Sequence, residues 1–304
     1  MPAAIQDRRR RGFTLVELLV VISIVSVLLA ILSLGIFAAY HSSKQYGLVN
    51  DVAQVSIGLD RFRERFGSYP PDMHTKKGVQ GFIRKSFPRA DHSQIELWLK
   101  FGDPTYEHID PPEALVLFLR YFNSDPRNPF QFAAKMHLDP NAWKTPPDDV
   151  AMFFDFPAGS LQDMDEDGFP EFTQKYAQGA PLVYFDARSY ESGADFPMYP
   201  SGDLALKKFA TPSWLMAYEL DPVTRHDPRY CVHYRKGPAP GQSYEPSAYQ
   251  LISAGRDGMF GAAPQGYIVL PYGSGRLFDE ERHMDADNIT NFTNGKTLSV
   301  YLGE

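Results

Sequence analysis

From Leu18 to Tyr40 the chain carries no charged side chain, and from Leu48 to Phe66 its apolar residues recur at helical spacing. The first run holds 23 residues; at ~1.5 Å per residue it spans roughly 34 Å, enough for a hydrocarbon core of about 30 Å. In the second, Leu48, Val52, Val55, Leu59, Phe62 and Phe66 form one stripe, with Lys44, Asp51, Asp60, Arg61, Arg63 and Glu64 largely off it. Gly67-Ser68-Tyr69-Pro70-Pro71 then stops the pattern, because Gly permits a turn and Pro forbids continuation. The two runs predict a single helix over 13–66, membrane-spanning at about 17–40 and amphipathic beyond. A membrane stalk whose outer half packs on a globular head needs a helix of that length. A secretory signal peptide is the rival reading, but its apolar region is ~7–15 residues and ends at a small-residue cleavage site.

Past the helix, periodicity weakens. Residues 74–150 read as polar and proline-punctuated, with short helical pieces at Ser93–Phe101 and Glu113–Phe122, while Val150–Phe156, Pro181–Asp186 and Tyr249–Ser253 have the aromatic and β-branched content of strands. The chain holds 25 Pro, 22 Phe and 17 Tyr, most of them after the helix, a composition that suits a loop-rich, aromatic-packed β structure rather than a helical bundle. The one cysteine, Cys231, excludes an intramolecular disulfide framework.

Four consecutive arginines, Arg8 to Arg11, precede Gly12-Phe13-Thr14-Leu15-Val16-Glu17 and the apolar run. Arginines in that place hold the start of the segment in the cytoplasm. A carboxylate at the mouth of a membrane helix is costly, ~2.5–3.5 kcal/mol on insertion scales, so Glu17 calls for a partner unless it snorkels to the headgroups. Gly12, Phe13 and Glu17 together, beside a basic leader and a spanning helix, resemble the type III signal of type IV pilins and type II secretion pseudopilins. The resemblance implies an α+β, pilin-like fold, with a long helix on an antiparallel sheet and a large loop-rich insertion at about 74–245. It implies that a prepilin peptidase removes residues 1–12 as a leader and methylates the new amine of Phe13. Glu17 of a neighbouring subunit then neutralises that amine as copies polymerise. The implied setting is the inner membrane, crossed once, with the head, 67–304, in the periplasm and an inner-membrane secretion platform as partner. Many relatives carry a proline seventeen residues after the acid; here that residue is Leu34, followed by Gly35.

A second resemblance lies near the C-terminus. Ser253, Gly255, Asp257 and Gly258, then Asp287, Asn288, Asn291, Phe292, Gly295 and Lys296, are similar to the C-terminal calcium loop of major, G-like pseudopilins, over about 251–296. By that likeness Asp257, Asp287 and Asn288 offer side chains to Ca2+, with Ser253 nearby and Asp285 in reserve. Calcium takes 6–8 hard oxygens, and an Asn at 288 where the family has a second Asp lowers the charge of the site. A further acidic run, Asp163-Met164-Asp165-Glu166-Asp167-Gly168, fits the first half of an EF-type loop, but position twelve is Gln174 rather than a bidentate Glu. It reads either as a second metal site or as a polar surface turn.

Removing residues 1–12 takes the net charge from −7 to −10. An acidic head is a poor match for nucleic acid, whose binding rests on Lys and Arg at phosphates, and this weakens a DNA-uptake role. The eight histidines are scattered, with no metalloprotease or nucleophile-elbow motif, so the chain reads as no enzyme. Two function classes stay open: a filament-forming pseudopilin that drives protein export, and a minor pilin or tip subunit that binds substrate or surface through 74–245.

Overall fold

A computed structural model describes residues 15–93, 95–96, 109–123, 125–164, 167–190, 198–199, 231–236, 242–245, 247–260, 268–269 and 286–303. Its helices are α1 (Leu15–Phe66), α2 (Lys76–Ser86), α3 (Pro111–Arg120), α4 (Gln131–Leu138) and α5 (Leu298–Leu302), with a 3-10 turn at Ala142–Lys144. The strands are β1 (Phe122–Asn123), β2 (Val150–Ala151), β3 (Leu161–Gln162), β4 (Glu171–Phe172), β5 (Val183–Asp186), β6 (Met198–Tyr199), β7 (Cys231–Val232), β8 (Tyr234–Arg235), β9 (Tyr249–Ser253), β10 (Ile268–Val269) and β11 (Ile289–Thr290). This is the α+β architecture expected: a long apolar helix followed by a region built on antiparallel sheet.

The chain divides into two compact units, residues 1–44 and 45–304. In the first, α1 is apolar from Leu18 to Tyr40, and the three serines of that run satisfy themselves: Ser23, Ser26 and Ser33 donate to Val20 O, Ile22 O and Ala30 O at 2.8, 2.7 and 2.9 Å. Back-bonding of this kind lets a hydroxyl sit in an apolar helix without an unmet donor.

In the second unit Leu48, Val52, Val55, Leu59 and Phe62 are buried and Phe66 packs against the same core, which is the predicted stripe. Phe62 lies at its centre, with ring centroids 4.6 Å from Phe66, 5.2 Å from Phe153 and 5.8 Å from Phe82. The helix ends where Gly67 turns left-handed (φ 74°) and its N–H returns to Arg63 O at 2.7 Å.

The described elements of the stretch 74–245 are knitted into this core. Thr75 caps α2 by accepting the Gly78 N–H at 3.2 Å, and α2 buries Val79, Phe82 and Ile83. Asp110 and Glu113 form a capping box at the start of α3, whose two N-terminal prolines need no intrahelical donors. Every residue of α3 from Pro111 to Leu119 is buried. That helix packs on β4 and β5, and β5 pairs antiparallel with β9 in the order β11–β9–β5. Val183 lies opposite Ile252, Asp186 opposite Tyr249, and Ile289 opposite Ser253. Both long strands are buried throughout.

Candidate functional sites: the N-terminal helix and the C-terminal loop

Gly12 and Phe13 lie outside the described residues. Glu17 sits in the first turn of α1, where the helix dipole favours an anion. Its neighbours Leu15, Val16, Leu18 and Leu19 are 56–78% exposed. The helix holds an 18-residue window of mean hydropathy 3.0, none of it buried, so it is long and apolar enough to cross a membrane once. At the far end of the apolar run the Lys44 ammonium lies 4.5 Å from the Tyr40 ring centroid, the aromatic-plus-cation pairing suited to an interface.

The C-terminal residues singled out in the sequence are brought together by the sheet. β9 ends at Ser253 and turns through 254–258, while β11 brings Asp287 and Asn288 alongside. Asp287 Oδ2 accepts the Arg256 N–H at 2.7 Å, with the Arg256 Nε 3.7 Å away. Burial raises the Asp287 pKa, opposed by Arg256 through its N–H and its charge. Gly255 is required twice over. Its φ of 65° is left-handed, and a Cβ there would collide with Asp287 Oδ1. Asp257 Oδ1 accepts the Met259 N–H at 2.9 Å, and Gln178 Nε2 donates to the carbonyls of Arg256 and Asp257 at 3.1 and 2.9 Å. Asn291 ties the two segments, accepting from Leu251 N–H at 2.9 Å and donating to Tyr249 O at 3.2 Å.

The donor set suits a hard cation in part. Among the described residues, Asp287 Oδ1, Asn288 Oδ1 and Ser253 Oγ are buried without a hydrogen-bond partner. Unmet buried acceptors cost free energy that a cation relieves. The Asn288 amide, however, donates to Tyr234 OH at 2.9 Å and Phe260 O at 3.1 Å. Strand alternation also turns Asn288 away from the face shared by Ile289 and its partner Ser253. Asp285 lies outside the described residues, and no group of three or more His, Cys, Asp or Glu arranged for a metal occurs among those described.

The described residues at either end of the 163–168 run bond within the run or next to it. Asp163 Oδ2 accepts Gly168 N–H at 3.1 Å and Asp167 Oδ1 accepts Phe169 N–H at 2.8 Å. Gly168 (φ 99°) lies against Met136 O, where no side chain fits. Asp165 is outside the described residues.

Residues 7–33 match a family model described as the prokaryotic N-terminal methylation motif. The chain carries a type IV pilin-like N-terminus. The match takes in Arg8–Arg11, Gly12, Phe13, Glu17 and the first half of the apolar run. Comparison with curated proteins and with solved structures finds no match. The motif implies processing by a prepilin peptidase and assembly with other pilin-like subunits, and its family is structural rather than enzymatic.

Sequence reasoning missed one cluster in the second unit. Asp72, just past the prolines, accepts Asp186 N–H at 3.0 Å, His74 N–H at 3.2 Å and the Ser189 hydroxyl. Asp186 in turn accepts from Arg188 Nε, and Arg188 Nη2 donates to Tyr69 O at 2.8 Å. Burial raises both carboxyl pKa values, that of Asp186 to about 7 against the pull of Arg188. Nearby, His233 stacks on Tyr190 at 4.6 Å, and burial lowers its pKa to about 3, helped by Arg235. No short motif announces partners more than a hundred residues apart.

Proposed function

We propose that this chain is a pseudopilin that polymerises into a periplasmic filament driving protein export by a type II secretion system. The observation that carries the reading is Glu17, inside the methylation motif, at the start of an exposed and otherwise apolar run of helix. In this reading the arginines stay cytoplasmic, α1 is anchored in the inner membrane, and the head is periplasmic. Cleavage at Gly12–Phe13 frees an amine that must leave water when copies stack. Glu17 of the next copy compensates it, since opposite charges attract far more strongly in low dielectric. The platform and prepilin peptidase are the implied partners, and nucleic acid is not one.

Calcium belongs to the same reading as a structural ion. Asp257 and Asp287 hold it, Ser253 Oγ and Asn288 Oδ1 being the remaining side-chain oxygens at the loop. Bound there, it locks β9 to β11.

The test has two parts. Intact mass of protein from cell envelopes should show residues 1–12 removed and one methyl at Phe13, and Gly12→Leu should retain the leader. Deletion of the gene should then abolish secretion of exported enzymes while surface pili persist. Loss of pili with secretion intact would instead support the minor-pilin alternative. A full leader in cells with active peptidase would defeat both.

A further inference from the structure

The head segregates its charge. Residues 61–89 hold eight Lys and Arg against Glu64 and the buried Asp72, whereas 139–167 hold eight Asp and Glu against Lys144. All eight cationic residues of the first stretch are exposed. Arg61 and Arg65 stand one helical turn apart on α1, and Lys77 and Arg84 two turns apart on α2. Lys85 Nζ donates to Gly67 O at 3.0 Å, joining the ends of the two helices into one surface. Arg61, Arg65, Lys77, Arg84 and Arg89 form no ion pair among the described residues, in a chain whose net charge is −7.

The acidic stretch is also a surface. Asp139, Asp148, Asp149 and Asp155 are exposed, and among the described residues only Asp155 of these has a basic partner, Arg120 at 2.7 Å. Leu138 and Met152 are exposed among them at 84% and 59%. A groove of about 580 Å3 lies beside them, its lining including Pro140, Trp143 and Leu161 with one cation, Lys144, and one carboxylate, Asp163, so a Lys or Arg stem can lie on its apolar residues while its head meets Asp163.

We propose that the 61–89 surface docks the surface that carries Asp139, Asp148, Asp149 and Asp155 on a second copy of this chain. The two patches are different parts of one head, so the contact is heterologous and repeats from copy to copy, the kind that builds an open helical array rather than a closed dimer. This deepens the filament reading and rests on it: Glu17 compensates the amine, and the heads set which neighbour lies beside which. Exposed charges act over a screening length of ~8 Å at physiological salt and ~3 Å at 1 M, so the docking is salt-sensitive.

Full-length protein purified in detergent from unlabelled and heavy-nitrogen cultures is mixed and joined with a zero-length carbodiimide. Mass spectrometry should find heavy–light peptides linking Lys77 or Lys85 to Asp148 or Asp149, lost at ~1 M salt. Reversing one patch, by Arg61→Glu with Arg84→Glu or by Asp139→Lys with Asp155→Lys, leaves Lys77, Lys85, Asp148 and Asp149 in place and should cut the yield of those links about tenfold. Combining both reversals in one chain should restore it, which neither misfolding nor binding of the basic patch to anionic lipid explains. Absence of heavy–light links, or no recovery on combining the reversals, overturns the docking. The ladder of subunits cross-linked in membranes judges the filament reading separately: a ladder without these links leaves that reading standing and removes this one.

Discussion

Asp186 and His233, both buried in the head, bind protons in opposite senses, and their effects on stability oppose each other until one is removed. The Asp186 pKa is raised from 3.8 to about 7, chiefly by burial. The folded state therefore holds its proton more tightly than the unfolded chain, and the stability this gives is present below pH 3.8 and lost as pH rises through 7. The His233 pKa is lowered from 6.5 to about 3 by burial and by Arg235. Its contribution is present above pH 6.5 and lost as pH falls through 3. The windows overlap from pH 3.8 to 6.5. There each group contributes a slope of about 1.4 kcal/mol per pH unit, of opposite sign, or roughly 3 kcal/mol each across the overlap.

The perturbation is to remove one and watch the other. In a soluble fragment starting at Gln45, urea midpoints are measured from pH 4 to 8 for the unmutated head, Asp186→Asn and His233→Phe. Relative to the unmutated head, Asp186→Asn should lose about 3 kcal/mol on going from pH 6.5 to 4, whatever its offset at neutral pH. His233→Phe keeps a ring against Tyr190 and should gain about the same over that interval. The slope difference is the readout, so a uniformly weakened variant does not confuse it. Curves parallel to the unmutated head in both variants would refute the reasoning.

Glu17→Val should leave cleavage and membrane insertion intact but abolish the cross-linked ladder, because a buried Phe13 amine without its partner is a fault of ~3–5 kcal/mol. With calcium at a hundredfold excess over Kd, the head should gain about 2.7 kcal/mol and melt several degrees higher than in chelator. Asp257→Ala or Asp287→Ala should remove that shift, Asn288→Ala should reduce it less, and Asp165→Ala should leave most of it; equal melting with and without calcium would end the assignment. Gly255→Ala meets both a left-handed φ and the Asp287 carboxylate, so it should destabilise the head by ~2–4 kcal/mol and weaken calcium binding with it.

What was legible in the sequence is what depends on neighbours along the chain. The stripe from Leu48 to Phe66 and the stop at Gly67 needed only helical periodicity and one left-handed glycine, and the helix of the structure agrees with them. Tyr249–Ser253 has the bounds expected of it, and Pro181–Asp186 shortens to Val183–Asp186. Val150–Phe156 shrinks to Val150–Ala151 because the N–H groups of Phe153 and Phe154 turn to Leu119 O, at 2.8 and 3.3 Å, instead of to a strand. Glu113–Phe122 starts earlier, at Pro111, since the Asp110–Glu113 capping box sets the first turn, and it ends earlier because Phe122 leaves for β1. The helical piece at Ser93–Phe101 falls largely outside the described residues. The Asp72, Asp186 and Ser189 cluster was not legible: it joins residues up to 117 positions apart, and proximity of that kind has no local pattern.

The turn at Tyr69-Pro70-Pro71 shows how a local signal can carry a long-range consequence. Gly67 ends α1, two prolines that lack N–H donors keep the helix from resuming, and the same lack leaves the turn's carbonyls without local claimants. The sheet supplies the missing donors. Tyr184 OH donates to Pro70 O at 2.7 Å, and Arg188 Nη2 donates to Tyr69 O. The Tyr69 hydroxyl, in turn, donates to Asp60 at 3.1 Å and accepts from Arg63 at 3.1 Å, so its side chain holds the helix while its carbonyl holds the sheet. Asp72 completes the tie through Asp186 N–H and Ser189. A residue chosen only to stop a helix would leave these carbonyls to water. Here the stop doubles as the fastening between the end of α1 and β5, which is why the buried acids and their protons sit there.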